Sequence, residues 1–469
     1  ATLFEQGQAL RTTADGETRQ PTRAVQVYTH AGQTRRVEKL FRHPYRGKMM
    51  RVQPRYLPAL ECTPEHPLLV ATAPGSPPHF LPAGQVTAEH WLAVPKCFSF
   101  SRPVEVDMAE LLRPLAQSYR VKRTISRENL AQVLRLSAEG LSSREIGLRI
   151  GKEASHVRHL RSKLRRGEWN LEQLGNIKAH LMIEAGQVRL PKEHRPGLPL
   201  ALPLDTSLAR LLGLYCAEGC VVRSKDRVHA ATLNFAFGPH ERALADETVA
   251  LLQTVFGVRA GLVQRETTLG VAVSKASVAL CFAALCGDRS REKRVPPVLF
   301  DAPREVAESF LRAYAQGDGS TRANGLTQIH TVSEELAHGV AALALKLGML
   351  PSLRRYPVRE RPLLGRRVNT APYQYAVNWY FDGRCRKFAR EDAEYWVLPI
   401  RSLETFDFDG AVYNLQVEGE HSYLANLLAT HNCQNWVNSQ ALRDPVSELV
   451  GAAPQPISAQ ELVAYGQRL

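Results

Sequence analysis

Three consecutive residues, His431, Asn432 and Cys433, combine the parts of a reactive junction. The Asn side-chain amide can attack its own backbone carbonyl, closing a succinimide and releasing the chain that follows. The reaction needs a neighbouring His to share protons with the leaving amide and a fold that holds the angle. Cys433 then becomes a new N-terminus whose thiol is itself a nucleophile. A second pattern is a pair of acids, Glu218 closing LLGLYCAEG (211–219) and Asp318 closing LRAYAQGDG (311–319), each followed by Gly. Two carboxylates meeting at one dry point do not both stay ionised without a cation, so Mg²⁺ shared with a phosphate is the occupant such a pair calls for.

The elements that must position these groups are legible in outline. VYNLQV (412–417) alternates as a half-buried strand, a turn at Glu418–His421 reverses it, and a second strand is expected to deliver His431, Asn432 and Cys433. Residues 1–100 read as all-β, with runs such as AVQVY, KMMRVQ and HPLLVAT separated by Gly and Pro turns. Within them Thr63 and His66 stand as T-x-x-H before an apolar strand. Residues 105–195 turn helical: Leu130, Val133, Leu134, Leu136, Ile146, Ile150, Val157 and Leu160 recur at helical spacing, and Gly151 falls between two short helices. From 119 to 166 thirteen Lys or Arg face four Glu, a local charge of +9, so most of the chain's excess of +14 is concentrated there. In 196–390 each acid-bearing motif is followed at a similar interval by a strand and then a helix, the mark of an internal duplication.

Several families carry these patterns. Val412–Cys433 resembles the C-terminal splicing motifs of inteins, V-Y-x-L-x-V-x-x-x-H-x-[FY] before His-Asn and a nucleophile, with Asn414 where many carry Asp. Thr63 and His66 resemble the intein motif that grips the N-terminal scissile bond. The resemblance implies one all-β Hint (hedgehog/intein) domain built from 1–100 and 391–432, with Ala1, Thr63, His66, His421, His431, Asn432 and Cys433 as its splicing residues. Ala1 is no nucleophile: either it replaces a natural Cys, or the chain is similar to the minority that begin with Ala, a class whose starts Phe4 and Glu5 resemble. In that class the Cys433 thiolate attacks the upstream junction directly. Splicing needs no cofactor.

The helical segment resembles the helix-turn-helix of bacterial regulators, which implies a second helix near 154–165 in a major groove, with Ser155, His156, Arg158, His159, Arg161 and Lys163 as DNA-binding residues. The duplicated segment resembles LAGLIDADG homing endonucleases. That implies an α+β two-repeat domain at 196–390, metal ligands Glu218 and Asp318, and Lys293 of EKRVPPVLF (292–300) acting on the phosphate or the attacking water. The fold class expected is therefore mixed. An all-β splicing domain is interrupted by a helical DNA-binding segment (105–195) and the endonuclease. The partners implied are double-stranded DNA at the uninterrupted host gene and the chain's own flanks. Residues 433–469, opening CQNWVNSQ, resemble the end of a C-x-x-x-C-x-x-C motif in radical S-adenosylmethionine enzymes; [4Fe-4S] and S-adenosylmethionine then belong only to the spliced host, with Cys433 as a ligand.

Composition bounds these readings. With 469 residues and 44% hydrophobic content the chain can bury about three domains. No run of eighteen apolar residues occurs and ATLFEQGQAL is not a charged-then-apolar leader, so the expectation is a cytoplasmic monomer with no membrane partner. Eight scattered cysteines form no disulfide framework. Two other readings remain, a sequence-specific DNA-binding regulator and a splicing domain whose endonuclease has decayed to a binding module.

Overall fold

The computed structural model describes residues 2–13, 16–100, 103–118, 127–166, 181–190, 193–194, 196–223, 230–358 and 371–432. Ala1, Cys433 and the expected host flank lie outside them. The chain divides into two compact units, residues 1–99 with 385–469 and residues 100–384.

The first unit is a sheet woven from both chain ends. Its main order is 8–13, 16–20, 34–54, 395–417, 91–95, 67–71, 428–431 and 422–425, so the C-terminal strands lie among the N-terminal ones. The spine is the antiparallel pairing of Thr34–Pro54 with Tyr395–Val417, from Ile400 opposite Pro54 to Val417 opposite Val37. The sequence marked only short runs here. A strand of 21 residues forms because its partner, more than 340 positions away, supplies a ladder along its length, with register shifts only near the ends, at Ile400/Ser402 and Gln416/Val417. A helical turn, α1 (Thr2–Glu5), buries Phe4 against Val37 and Leu40. The expected single strand into His431 is instead a tight hairpin, Ser422–Ala425 against Leu428–His431, turned by Asn426 and Leu427 at φ 49° and 70°. Gly32 (φ 70°) turns the 29–33 loop, and a Cβ there would sit 1.8 Å from the Cys97 carbonyl oxygen.

In the second unit, α2 (Met108–Ser118) packs on the later helix Ala276–Cys286, and Glu105–Asp107 pairs with Ala201–Pro203. The helical insert expected at 105–195 is therefore narrower, because its first elements complete the duplicated domain's core. What stands as a separate cluster is α3 (Arg127–Ala138), α4 (Ser143–Ile150) and α5 (Ala154–Arg165). Leu130, Val133, Leu136, Ile146, Val157 and Leu160 form its core, whereas Leu134 is only half-buried. Ser142 and Glu145 cap α4 reciprocally, and Gly151 (φ 64°) ends it in the left-handed region.

The rest is two copies of one topology. Helix α6 (Thr206–Glu218) leads into strands 219–223 and 231–237, α7 (Arg242–Phe256), strands 261–264 and 269–273, then α8 (Ala276–Cys286). The second copy runs α9 (Arg304–Asp318), strands 319–321 and 326–331, α10 (Glu334–Lys346), strands 352–357 and 373–380. Both four-stranded sheets have the order first, second, fourth, third. Helices α6 and α9 pack closely because small residues meet. A Cβ on Gly213 would lie 2.4 Å from the Phe310 carbonyl oxygen and 2.8 Å from the Ala313 Cβ. Gly213→Val should therefore force the helices apart and destabilise this unit by about 1–3 kcal/mol, read as a lower midpoint in its thermal unfolding.

Candidate functional site

The two acids arise from the helix pair. Asp205 caps the start of α6 by accepting from the Leu208 N–H, and Ser309 Oγ donates to the Thr206 carbonyl at 2.8 Å, tying that start to α9. At the other end both helices stop on an acid followed by extended Gly219 or Gly319. A Cβ on Gly317 would meet the Ala217 Cβ at 2.5 Å and the Glu218 Oε1 at 3.6 Å, so the two helix ends touch where the acids are. Burial, then Asp318 and Glu241, push Glu218 up to about 7; burial pushes Asp318 up to about 6, with one side of it open to solvent. Lys293 pulls both down. Its buried ammonium donates to the Tyr215 carbonyl and, at 2.7 Å, to the Gly219 carbonyl, 3.4 Å above the Tyr215 ring centroid. Lys293 thus caps the carbonyl end of α6, where the helix dipole favours a cation. Gln316 accepts from Arg210 Nη2 at 2.8 Å, a cross-helix tie.

Among the described residues no cluster of three or more His, Cys, Asp or Glu could hold a metal. Two carboxylates held partly neutral by burial and mutual repulsion fit a divalent cation that takes its other ligands from water and phosphate.

In the first unit, His66 follows the turn closed by its N–H on the Thr63 carbonyl at 3.0 Å. Burial and the nearby His431 push its imidazole down to about 4, so it is neutral at pH 7. His431 Nδ1 lies 2.7 Å from the Asn432 carbonyl oxygen. Asn432 is 7% exposed and its N–H donates to the His421 carbonyl at 2.7 Å. Its side chain is satisfied when the amide donates to the Leu415 and His421 carbonyls and accepts from the Val417 N–H, all within 3.0–3.1 Å. His421 holds φ 53°, an uncommon backbone for a bulky ring, and its Nδ1 lies 3.1 Å from the Val417 carbonyl. Asn414 Oδ1 accepts from Tyr423 Oη at 3.0 Å, and the Tyr423 ring is 6.5 Å from His66. The structure therefore brings His66, His421, His431 and Asn432 together, with Thr63 at the turn.

Sequence reading missed His30. Its Nδ1 lies 2.7 Å from Ser422 Oγ, and nothing in the spacing of YTHAG marks it.

On α5, Ser155, Arg158 and His159 are exposed or partly so, whereas His156 and Lys163 are half-buried. Arg161 turns inward, donating to the Leu141 carbonyl and Ser143 Oγ at 3.3 Å, and braces α4. Lys152 and Arg165 share the exposure and were not singled out.

Residues 305–370 match the family of LAGLIDADG-like domains, which spans the second copy and not the first. The chain is similar to an iron–sulfur cluster assembly SufBD family protein of Mycobacterium bovis (28% identity over 270 residues, 55% of this chain and 30% of that one). It is also similar to a DNA polymerase of Thermococcus sp. (24% over 312 residues, 56% and 16%) and the helicase Hel308 of Thermococcus kodakarensis (28% over 270, 52% and 23%). The chain spans less than a third of the length of each of these relatives. Among solved structures, the homing endonuclease I-DmoI in complex with DNA and Mn aligns at 14% identity and TM-score 0.29, over 38% of this chain and 92% of that one. No helix among the described residues is long and apolar enough to cross a membrane.

The acid pair gives a pH signature. Carboxyls raised to about 7 and about 6 favour the folded state when protonated, so their stabilisation is complete below the unfolded values near 4 and lost as pH rises through 6–7. Without divalent cation, the thermal midpoint of this unit should fall between pH 5 and 8. Mg²⁺ should restore it at pH 8 and do little at pH 5, and Glu218→Gln with Asp318→Asn should flatten the slope.

Proposed function

We propose that the chain is an intein: a splicing domain of Hint type carrying a LAGLIDADG homing endonuclease and a helix-turn-helix DNA-binding segment. The observation that carries the splicing half is His431 Nδ1 on the Asn432 carbonyl oxygen, with His66 beside it in a unit assembled from both chain ends. The relatives add weight. Proteins named for iron–sulfur assembly, DNA polymerisation and DNA unwinding share with this chain only a minor part of their own lengths, as expected of an element inserted in unrelated hosts.

In the C-terminal step the Asn432 side-chain nitrogen bonds to its own carbonyl carbon. His431 Nδ1–H donates to that carbonyl oxygen as it gains charge, the bond to the Cys433 nitrogen breaks, and the proton lost by the attacking amide balances the one the leaving nitrogen takes up to become the new amine. In the N-terminal step, which precedes the C-terminal one, Thr63 and neutral His66 hold the amide before Ala1; the Cys433 thiolate attacks its carbonyl carbon, a thioester to the upstream flank forms, and the bond to the Ala1 nitrogen breaks as that nitrogen takes up a proton. Cys433 then becomes a residue of the host, whose radical S-adenosylmethionine character rests on the sequence of 433–469 alone. Asn414 fills the place of the family's Asp without a charge, and its oxygen orders Tyr423 and the Leu415 N–H.

For the nuclease, the carrying observation is that two acids with raised proton affinity end two helices packed through Gly213 and Gly317. Glu218 and Asp318 would hold Mg²⁺, which would supply positive charge to a DNA phosphodiester and its attacking water. The sheets are suited to read the flanking duplex. In the second copy the partly exposed Gln328 and Asn378 align on neighbouring strands, with the exposed His330 and Arg354 in register two residues along, on either side of Ala376. Amide, imidazole and guanidinium groups of this kind hydrogen-bond base edges. The exposed Arg158 and His159 of α5 extend the contact along the groove or backbone.

Two measurements test this. Incubation of the full chain should release residues 433–469, detected by mass, and Asn432→Ala should stop the release completely. With Mg²⁺, the chain should cut both strands of the uninterrupted host gene, and Asp318→Asn should lower that rate by at least about 100-fold. A variant that cuts as fast as the parent rules out the metal role.

A further inference from the structure

His30 lies outside the splicing chemistry above, yet it grips the strand pair that carries it. Its Nδ1 is 2.7 Å from Ser422 Oγ, and its backbone N–H donates to the same oxygen at 3.1 Å. Ser422 is fully buried and stands directly opposite His431 in the hairpin register, so both side chains lie on one face. Phe80 fills the space between the rings, edge-on to His30 at 5.4 Å and to His431 at 5.0 Å. The Glu420 carboxylate lies 3.9 Å from the same Nδ1, beyond hydrogen-bond reach, and is tied to Arg35 at 3.2 Å. His30 is therefore held by Ser422 and Phe80, and it braces the strand across from His431.

We propose that His30 is a positioning residue for Asn432 cyclisation: by clamping Ser422 against Phe80 it fixes the hairpin that aims His431 Nδ1 at the Asn432 carbonyl. The inference rests on the splicing reading. Burial and the neighbouring His431 lower the proton affinity of His30 while Glu420 and Glu394 raise it, with a net shift downward, so the imidazole is neutral when splicing proceeds and Nδ1 exchanges a hydrogen bond with a hydroxyl. A misplacement of about 1 Å in such a constellation costs about 100-fold in rate.

The test follows release of residues 433–469 from the full chain by mass, between pH 6 and 9. His30→Ala should slow release about 10- to 100-fold. His30→Asn places an amide atom near the Nδ1 position, can hydrogen-bond Ser422 and cannot titrate; it should keep release within about threefold of the parent and leave the pH profile unchanged. Ser422→Ala should slow release as His30→Ala does, and the double variant should be no slower than either, because the two act as one unit. DNA cleavage by each variant reports whether the rest of the chain is intact. If His30→Ala releases at the parent rate, or if His30→Asn is as slow as His30→Ala with an altered pH profile, the positioning role is overturned. Should His30→Ala fail to fold, His30→Asn and Ser422→Ala decide the matter. A parent chain that releases nothing overturns the splicing reading itself, and this inference with it.

Discussion

The pairing of Thr34–Pro54 with Tyr395–Val417 is the constraint on which the rest depends. It joins segments separated by the whole second unit, and the price of closing that loop is modest because closure entropy grows only with the logarithm of length, about 0.6 kcal/mol per doubling. The geometry at the crossing eases it further. The first unit is left through Trp91–Pro95 and re-entered through the start of Tyr395–Val417, neighbours in the sheet, with the Lys96 N–H donating to the Glu394 carbonyl at 2.8 Å. An insert whose own ends lie close together can enter there without disturbing a ladder hydrogen bond. That is a physical reason for a β unit to tolerate nearly three hundred residues between adjacent strands.

At the acid pair, electrostatics outweighs packing. Burial pushes both Glu218 and Asp318 toward neutrality, the charges of Asp318 and Glu241 push Glu218 further, and Lys293 opposes them with a buried ammonium. The lysine is itself held by two main-chain carbonyls at the end of α6, so its charge has a fixed place and cannot swing to quench either acid fully. Partial compensation of this kind keeps an attraction for a divalent cation while allowing the helix ends to approach.

Much of this was legible in residue order, and the exceptions have physical causes. The duplication was readable because small residues and an acid recur at the end of each helix, and the two sheets share one strand order. The α3–α5 cluster followed from apolar spacing and a left-handed Gly151, with Leu134 and Ile150 only half-buried and Ile150 packed against the core from outside. Ranges were less legible. Glu105–Asp107 and α2 look like the start of the helical segment, but their partners, Ala201–Pro203 and α8, are nearly a hundred and more residues away. Charge alone could not say that Arg161 turns inward to Leu141 while Arg158 faces out. The cluster of His30, His66 and His431 is a product of topology, since segments far apart in sequence bring those rings to one place.

That dependence on topology sets an order of events. The Asn432 side chain fits the carbonyls of Leu415 and His421 and the Val417 N–H, its backbone N–H donates to the His421 carbonyl, and His431, beside its carbonyl, ends the hairpin 422–431. The hairpin in turn leans on Ser422, whose partner His30 comes from the other end of the chain. A chain made from its N-terminus therefore has its second unit complete before the cyclisation centre can form, because the last strands of the first unit come last. On the proposed reading, Asn432 would stay inert in an incomplete chain because the groups that orient it are not yet assembled around it. The proposed cyclisation would then be coupled to completion of the fold through contacts such as that of His30 with Ser422, which join the two ends of the chain.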